Sequence, residues 1–149
     1  MTLTKTPICD FGKKAETFEL KSVDGNIVSL DSIKGENGTL VMFICNHCPY
    51  VKAVIDGIVK DCNALKSVGV NSVAICSNDV INYPEDSFDK MIEFSKLNKF
   101  NFPYLHDETQ EVARKFDAVC TPDFFGYNGK LELQYRGRVR ELKDLKPVN

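Results

Sequence analysis

The clearest pattern of apolar positions lies in two adjacent stretches near the middle of the chain. Residues 40–44 form an unbroken apolar run, which is typical of a strand covered on both faces in a parallel sheet. From Pro49 onward, apolar residues recur every three or four positions, which predicts an amphipathic helix. Its apolar face consists of Val51, Val54, Ile55, Ile58, Val59, Cys62 and Leu65. Pro49 suits a first turn because its missing N–H would have no intrahelical partner there.

The rest of the pattern predicts a single α/β domain over residues 1–149. Turn residues at 24–26 indicate an N-terminal β-hairpin, and residues 70–77 give a second apolar strand, which implies a parallel crossover from the first. Two further helices are expected, with Asp86 and Asp107 as their caps. A late hairpin turns at 128–129. We therefore expect a central mixed sheet with flanking helices.

Composition narrows the class of protein. The 149 residues are 43% hydrophobic and 27% charged, with a formal net charge of −2. Neither sign forms a long block, which argues against binding to nucleic acid or to an anionic membrane surface. Residues 1–10 lack the apolar centre of a signal peptide, and we expect a cytoplasmic protein.

Candidate chemistry lies where the apolar run meets the helix. Cys45 and Cys48 stand at this junction, where unpaired backbone N–H groups and a partial positive charge make a thiol easier to ionise. His47 lies between them and, when protonated, stabilises a neighbouring thiolate. We expect Cys45 to be the more exposed sulfur and Cys48 to lie one turn inside the helix. Cys62 lies too far along the same helix to pair with Cys48.

Several segments in this order resemble a known family. The sequence Cys45-Asn46-His47-Cys48 at a strand-to-helix junction, with a Thr-Pro pair entering a later hairpin, resembles the thioredoxin-like superfamily. The chain resembles more closely the bacterial redoxins of the alkyl hydroperoxide reductase/thiol-specific antioxidant type. The segments that carry this resemblance are 46–51, 83–88, 102–105, 110–114 and 120–125.

The resemblance implies a thiol–disulfide oxidoreductase with Cys45 as the attacking thiol and Cys48 as the resolving thiol. It implies a cis Pro122 beside them, with Thr121 pairing with an extended substrate segment and Tyr50 lining the groove. The expected partners are a disulfide-bearing protein or small molecule and a thiol reductant. No cofactor is expected, and the oligomeric state is not predicted.

Two features depart from the resemblance. Such proteins usually end in a long helix packed on the sheet, whereas the tail after Gly137 has room for two or three helical turns at most. We therefore expect a shortened C-terminal helix. Relatives also often carry a buried acid near the cysteines, and residues 40–44 contain none. The proton acceptor for the resolving thiol is therefore not evident from the sequence.

A thiol peroxidase with Cys48 as the peroxidatic thiol is the first alternative. Typical peroxiredoxins carry Thr or Ser three residues before this cysteine and Pro seven before it. Cys45 and Val41 occupy those positions here, so the pattern is not matched. Arg136 or Arg138 would supply the guanidinium that polarises peroxide.

A metal-binding module is the second alternative. Cys45, His47 and Cys48 offer soft donors of the kind that copper and zinc prefer. A single Cys-x-x-Cys, however, supplies half of a structural zinc site.

Overall fold

A computed structural model describes residues 12–78, 80–118, 122–138, 142–143 and 146–147. The strands are β1 (Glu19–Ser22), β2 (Ile27–Ser29), β3 (Gly38–Phe43), β4 (Val70–Cys76), β5 (Tyr104–His106), β6 (Asp123–Asn128), β7 (Leu133–Arg138), β8 (Leu142–Lys143) and β9 (Lys146–Pro147). The α-helices are α1 (Leu30–Ile33), α2 (Pro49–Lys66), α3 (Phe88–Leu97) and α4 (Glu111–Phe116), and a 3-10 turn covers Pro84–Asp86.

Seven strands form a mixed sheet in the order β2-β1-β5-β4-β3-β6-β7. Strands β3, β4 and β5 are parallel, and the pairs β1–β2, β1–β5, β3–β6 and β6–β7 are antiparallel. The predicted mixed sheet with flanking helices and an N-terminal hairpin is therefore confirmed. No helix in the described part of the chain is both long and apolar enough to span a membrane.

Strand β3 lies at the centre of the domain and separates two apolar clusters. Met42 packs on one face of the sheet together with residues from α2 and α3. Val41 and Phe43 pack on the other face, with residues from α1 and α4. Successive strand side chains point to opposite faces, so the continuous apolar run at 40–44 contributes to both clusters. Ile44 continues the Met42 side, and this side leads directly to the cysteines.

Local capping explains where several helices begin. Ser29 and Ser32 bond reciprocally to each other's backbone N–H, which starts the short helix α1 that the apolar pattern did not predict. Gln110, not Asp107, is the N-cap of α4, but the Asp107 carboxylate accepts bonds from the N–H groups of Val112 and Ala113 in its first turn. Asp86, by contrast, does not cap α3. Ser87 does, accepting from the N–H of Lys90, because its side chain is at the right distance from the first turn.

The shortened C-terminal helix is not found among the described residues of the tail. Strands β8 and β9 instead pair antiparallel, with Leu142 opposite Pro147. Proline disfavours helical backbone at the residue before it, so Lys146 is biased toward the extended conformation. That local bias outweighs the weak three-residue spacing of apolar positions in this segment.

Gly35 tests how closely the backbone packs in the loop that leads into β3. A Cβ on this residue would overlap the carbonyl oxygen of Gly38 and lie 2.5 Å from that of Gly69. Gly35→Ala should therefore lower the free energy of unfolding by about 1–3 kcal/mol, as in other overpacked sites. Gly57→Ala is the matched control, because a Cβ at this exposed position of α2 would meet nothing within 4 Å. The control should gain about 0.5–1 kcal/mol in urea unfolding, and equal effects in the two variants would contradict the packing argument.

Candidate active site

The two cysteines lie in the loop between β3 and α2, and Cys48 lies at the start of the helix and not one turn inside it. Cys48 is the N-cap of α2, followed by Pro49 in the first turn, and Cys45 precedes the helix by four residues. The exposed fraction is 0% for Cys45 and 5% for Cys48. The predicted greater exposure of Cys45 is therefore wrong. The helix itself begins at Pro49, as the apolar pattern predicts, after a loop that runs through residues 44–48.

Asp86 is the main anchor of this loop, although it lies forty residues away in sequence. Its carboxylate is 0% exposed. Oδ1 accepts from the backbone N–H of Asn46 at 2.7 Å, and Oδ2 accepts from Nδ2 of Asn78 at 2.8 Å. Nδ1 of His47 lies 2.5 Å from the same Oδ2. Three donors are therefore directed at one buried carboxylate, which is the arrangement a buried negative charge needs.

His47 is held from two directions. Its ring stacks on that of Tyr83 with centroids 4.7 Å apart and planes 10° from parallel. On another edge of the ring, its Nδ1 contacts Oδ2 of Asp86. The sulfur of Cys45, one ring nitrogen of His47 and one carboxylate oxygen of Asp86 all lie within 4.8 Å of one another. The site is therefore a compact group of one thiol, one imidazole and one carboxylate beside the helix N-cap.

A second set of hydrogen bonds fixes Asn46. The hydroxyl of Tyr104 donates to Oδ1 of Asn46 at 2.8 Å, and Nδ2 of Asn46 donates to the carbonyl of Glu85 at 2.8 Å. Tyr104 is completely buried in strand β5. The loop between the cysteines is thus attached both to the neighbouring parallel strand and to the 3-10 turn.

Two further ionisable groups lie beside this cluster and keep their protons at neutral pH. Burial, followed by the charge of Asp86, raises the pKa of the Cys76 thiol to about 12. Burial also raises the pKa of Tyr104 well above its usual range, with smaller contributions from Cys76 and Cys45. Cys76 ends strand β4 in the same apolar cluster as Cys45.

The other residues predicted for the site are only partly described. Pro122 is buried and directly precedes Asp123, which pairs with Phe43 at the end of β3. That register brings Pro122 to the strand end from which the cysteine loop leaves. Tyr50 is 42% exposed in the first turn of α2. Thr121, and with it the predicted cis bond, lies outside the described residues, as do Cys9 and Cys120.

Arg136 does not approach the cysteines. Its guanidinium donates to Asp123 at 3.1 Å and to the carbonyl of Asp117 at 2.6 Å, and lies 4.5 Å from the centre of the Phe125 ring. Phe125 belongs to the apolar cluster on the sheet face opposite Cys45 and Cys48. The guanidinium that the peroxidase alternative assigned to Arg136 is therefore on the wrong side of the sheet. The side chain of Arg138 lies outside the described part of the molecule.

The residues that could bind a metal ion differ from those predicted from the sequence. The close group contains Asp86 in addition to Cys45 and His47, whereas Cys48 is not part of it. Both oxygens of Asp86 already accept hydrogen bonds from the protein. This bonding pattern suits a carboxylate that orients protein donors better than one that binds a metal ion.

Asp86 is the site residue that sequence reasoning missed. The segment that contains it, 83–88, contributed to the family resemblance, but the acid was interpreted as a helix cap. The available signal was Ser87, a better cap directly after it, which leaves Asp86 without a capping role. Sequence alone could not show that the segment containing Asp86 folds back over residues 45–48.

The fold and the paired cysteines define the class of protein as a thioredoxin-like oxidoreductase. Solved structures less than 25% identical to the chain, including a thioredoxin domain from Bacteroides vulgatus, share the fold. The sequence matches the AhpC/TSA family over residues 11–142, and the chain belongs to that family.

Individual relatives are similar to this chain in sequence or in fold. The chain is 26% identical to sporulation thiol-disulfide oxidoreductase A of Bacillus subtilis (strain 168) over 117 residues, covering 78% of this chain and 67% of that protein. The crystal structure of an uncharacterized conserved protein from Geobacillus kaustophilus is 47% identical, with a TM-score of 0.86 over 93% of this chain and 72% of that one. A hypothetical protein from Sinorhizobium meliloti 1021 is 34% identical, with a TM-score of 0.87 over 96% of this chain and 76% of that one.

The Tyr104–Asn46 bond can be tested by removing one hydroxyl. Tyr104→Phe leaves the buried Oδ1 of Asn46 without this donor, which should lower the free energy of unfolding by about 1–3 kcal/mol. Tyr135→Phe is the control, since Tyr135 is half exposed on β7 and water can replace interactions of its hydroxyl. Urea unfolding measures both variants. A Tyr104→Phe protein as stable as the control would show that the bond does not hold the loop.

Proposed function

We propose that this protein is a thiol–disulfide oxidoreductase in which Cys48 attacks the substrate disulfide and Cys45 resolves the mixed disulfide. The dithiol is the one predicted from the sequence, with the two roles exchanged. The expected substrates are disulfide-bearing proteins or small molecules, and a thiol reductant restores the dithiol. In a cytoplasmic setting the direction of exchange is reduction of the substrate.

The position of Cys48 at the N-cap of α2 is the observation that carries this proposal. The N-terminus of a helix stabilises a thiolate through its unpaired N–H groups and its partial positive charge. Cys45 lies before the helix and within 4.8 Å of the Asp86 carboxylate, whose negative charge opposes a second one on that sulfur. Cys48 also has the larger exposed fraction. All three features favour the thiolate on Cys48.

The reaction then follows ordinary thiol–disulfide exchange. The Cys48 thiolate attacks one sulfur of the substrate disulfide, forming a mixed disulfide and releasing the other sulfur as a thiolate. Cys45 next attacks the Cys48 sulfur, forming the Cys45–Cys48 disulfide and releasing the second substrate sulfur. Two electrons pass from the protein to the substrate. An external dithiol reverses these steps on the protein.

The contacts to substrate are also part of the proposal. Tyr50 is exposed beside Cys48, so its ring can lie against the substrate chain. We also propose the roles for Pro122 and Thr121 that the family resemblance implies, with the backbone of Thr121 pairing with an extended segment of substrate. His47, between the two cysteines, is the remaining proposed catalytic residue.

Single cysteine variants test the order of attack. Cys45→Ser should accumulate a mixed disulfide through Cys48 when exposed to oxidised glutathione, because the resolving thiol is absent. Cys48→Ser should trap little glutathione and lose exchange activity. Mass spectrometry of the peptide that contains both positions measures the adduct. A stable adduct in Cys48→Ser and none in Cys45→Ser would restore the roles predicted from the sequence.

Peroxide reduction is a second candidate function, favoured by the same N-cap position of Cys48. The Cys48 thiolate would attack the peroxide O–O bond, giving a sulfenic acid on Cys48 and an alcohol or water, and Cys45 would then form the disulfide. The position of Arg136 on the opposite sheet face counts against it. Exposure of Cys45→Ser to peroxide separates the functions, because only a peroxidase forms the sulfenic acid faster than a free thiol does.

A further inference from the structure

A wide groove runs between helices α2 and α3 and has no role in the exchange described so far. Its volume is about 740 Å³, within the range of sites that hold drug-sized ligands. Asn46 and Glu85, joined by a hydrogen bond of 2.8 Å, form the end of the groove at the cysteine loop. From there it follows α3 from Lys90 to Asn98, about 12 Å at the helical rise. The groove is therefore continuous with the loop that carries the dithiol.

The floor of the groove is apolar. Ile55 of α2 and Phe94 of α3 line it, and both side chains are otherwise buried in the core. Leu97 follows Phe94 by three residues, which places the two on the same side of α3. Leu97 also lines the groove, and it is 79% exposed. A large apolar side chain laid against these residues would remove apolar surface from water on both partners, which favours its binding.

The rim of the groove carries more positive than negative charge. Three lysines and two glutamates line it: Lys52, Lys90, Lys96, Glu85 and Glu93. Lys90 and Glu93 lie 3.3 Å apart and compensate each other. Lys52 and Lys96 have no ion-pair partner among the described residues. The groove is thus complementary to a ligand that is both apolar and negatively charged.

The position of Lys52 relates the groove to the attacking sulfur. Its backbone N–H donates to the carbonyl of Cys48 at 3.0 Å, so it lies one turn of α2 after the N-cap. The helix N-terminus adds its partial positive charge at the same end. An extended polypeptide advances about 3.3 Å per residue, so about four residues span the groove. A chain lying in the groove can therefore bring a nearby disulfide to Cys48.

We propose that the groove between α2 and α3 binds a segment of a substrate protein, in which an acidic and a large apolar residue stand within about four positions of the disulfide cysteine. The acidic side chain pairs with Lys52, and the apolar one covers Phe94 and Leu97. The inference rests on the proposed function and selects polypeptides among its substrates. It adds a contact surface outside that of Tyr50 and Pro122, neither of which lines this groove.

Peptides that differ at one position test the groove. Each carries one cysteine in a mixed disulfide with thionitrobenzoate, and absorbance follows its release by the reduced protein. The first peptide has Leu and Glu within four positions of the cysteine, the second has Lys in place of Glu, and the third has Ser in place of Leu. Each rate constant is divided by that of the same peptide with dithiothreitol, which removes differences in intrinsic reactivity. The first peptide should react about threefold to tenfold faster than either other peptide.

Variants of the groove should change these ratios separately. Lys52→Glu should reverse the charge preference, so that the peptide with Lys reacts faster than the peptide with Glu. Leu97→Ser should abolish the preference for Leu over Ser and keep the charge preference. Each readout is a ratio between two peptides on one variant, so a change in the reactivity of Cys48 itself cancels. Lys60→Glu on the exposed side of α2 and Ile27→Ser on β2 are the matched controls, and both should retain the native ratios.

A neutral small molecule separates the inference from the proposed function. Hydroxyethyl disulfide has neither the charge nor the length to occupy the groove, and the native protein and all four variants should reduce it. Equal rate constants for the three peptides, or native ratios retained in Lys52→Glu or in Leu97→Ser, would overturn the inference and leave the proposed function intact. Failure of the native protein to reduce hydroxyethyl disulfide and all three peptides would instead overturn the proposed function.

Discussion

The buried carboxylate of Asp86 is the interaction on which the arrangement of the site depends. A charge without solvent contact must be compensated by the protein, and here the compensation comes from the backbone of Asn46, the side chain of Asn78 and the ring of His47. Two of these donors belong to the cysteine loop. The requirement to satisfy one acid therefore also determines where the loop lies. Removing the acid would leave three donors unsatisfied in the same small volume.

Strand β3 explains why the loop begins where it does. Its side chains alternate between two apolar clusters. A shift of one residue in its register with β4 and β6 would therefore move every side chain of β3 to the opposite face of the sheet. This fixed register directs Ile44 and Cys45 toward the face covered by α2 and α3. The buried pair of Arg136 and Asp123 lies on the other face and supports the strands there. The chemistry and this ion pair are thus separated by the sheet.

Patterns that depend on neighbouring residues were predictable from the sequence, and contacts between distant residues were not. The period of apolar positions located α2 to within a residue or two, and the turn at 24–26 located the first hairpin. The dithiol was evident from its spacing. The exposure of its two sulfurs was predicted wrongly because spacing does not show how the loop before the helix places each side chain. Asp86 was interpreted as a helix cap because two of its partners, Asn46 and His47, lie about forty residues earlier in the chain. The prediction of a tail helix was wrong because Pro147 favours extended backbone at Lys146.

The near-complete burial of both sulfurs has a consequence for the substrates this site can accept. Attack on a disulfide requires the entering sulfur to approach along the line of the sulfur–sulfur bond, so a flat protein surface cannot bring its own bond into contact with Cys48. Disulfides on a protruding loop, at a chain terminus or in a small molecule meet this requirement more easily than one on a flat surface. In the proposed exchange, the depth of the sulfur would act as a steric filter, so that the shape of the substrate around its disulfide would matter as well as its reduction potential.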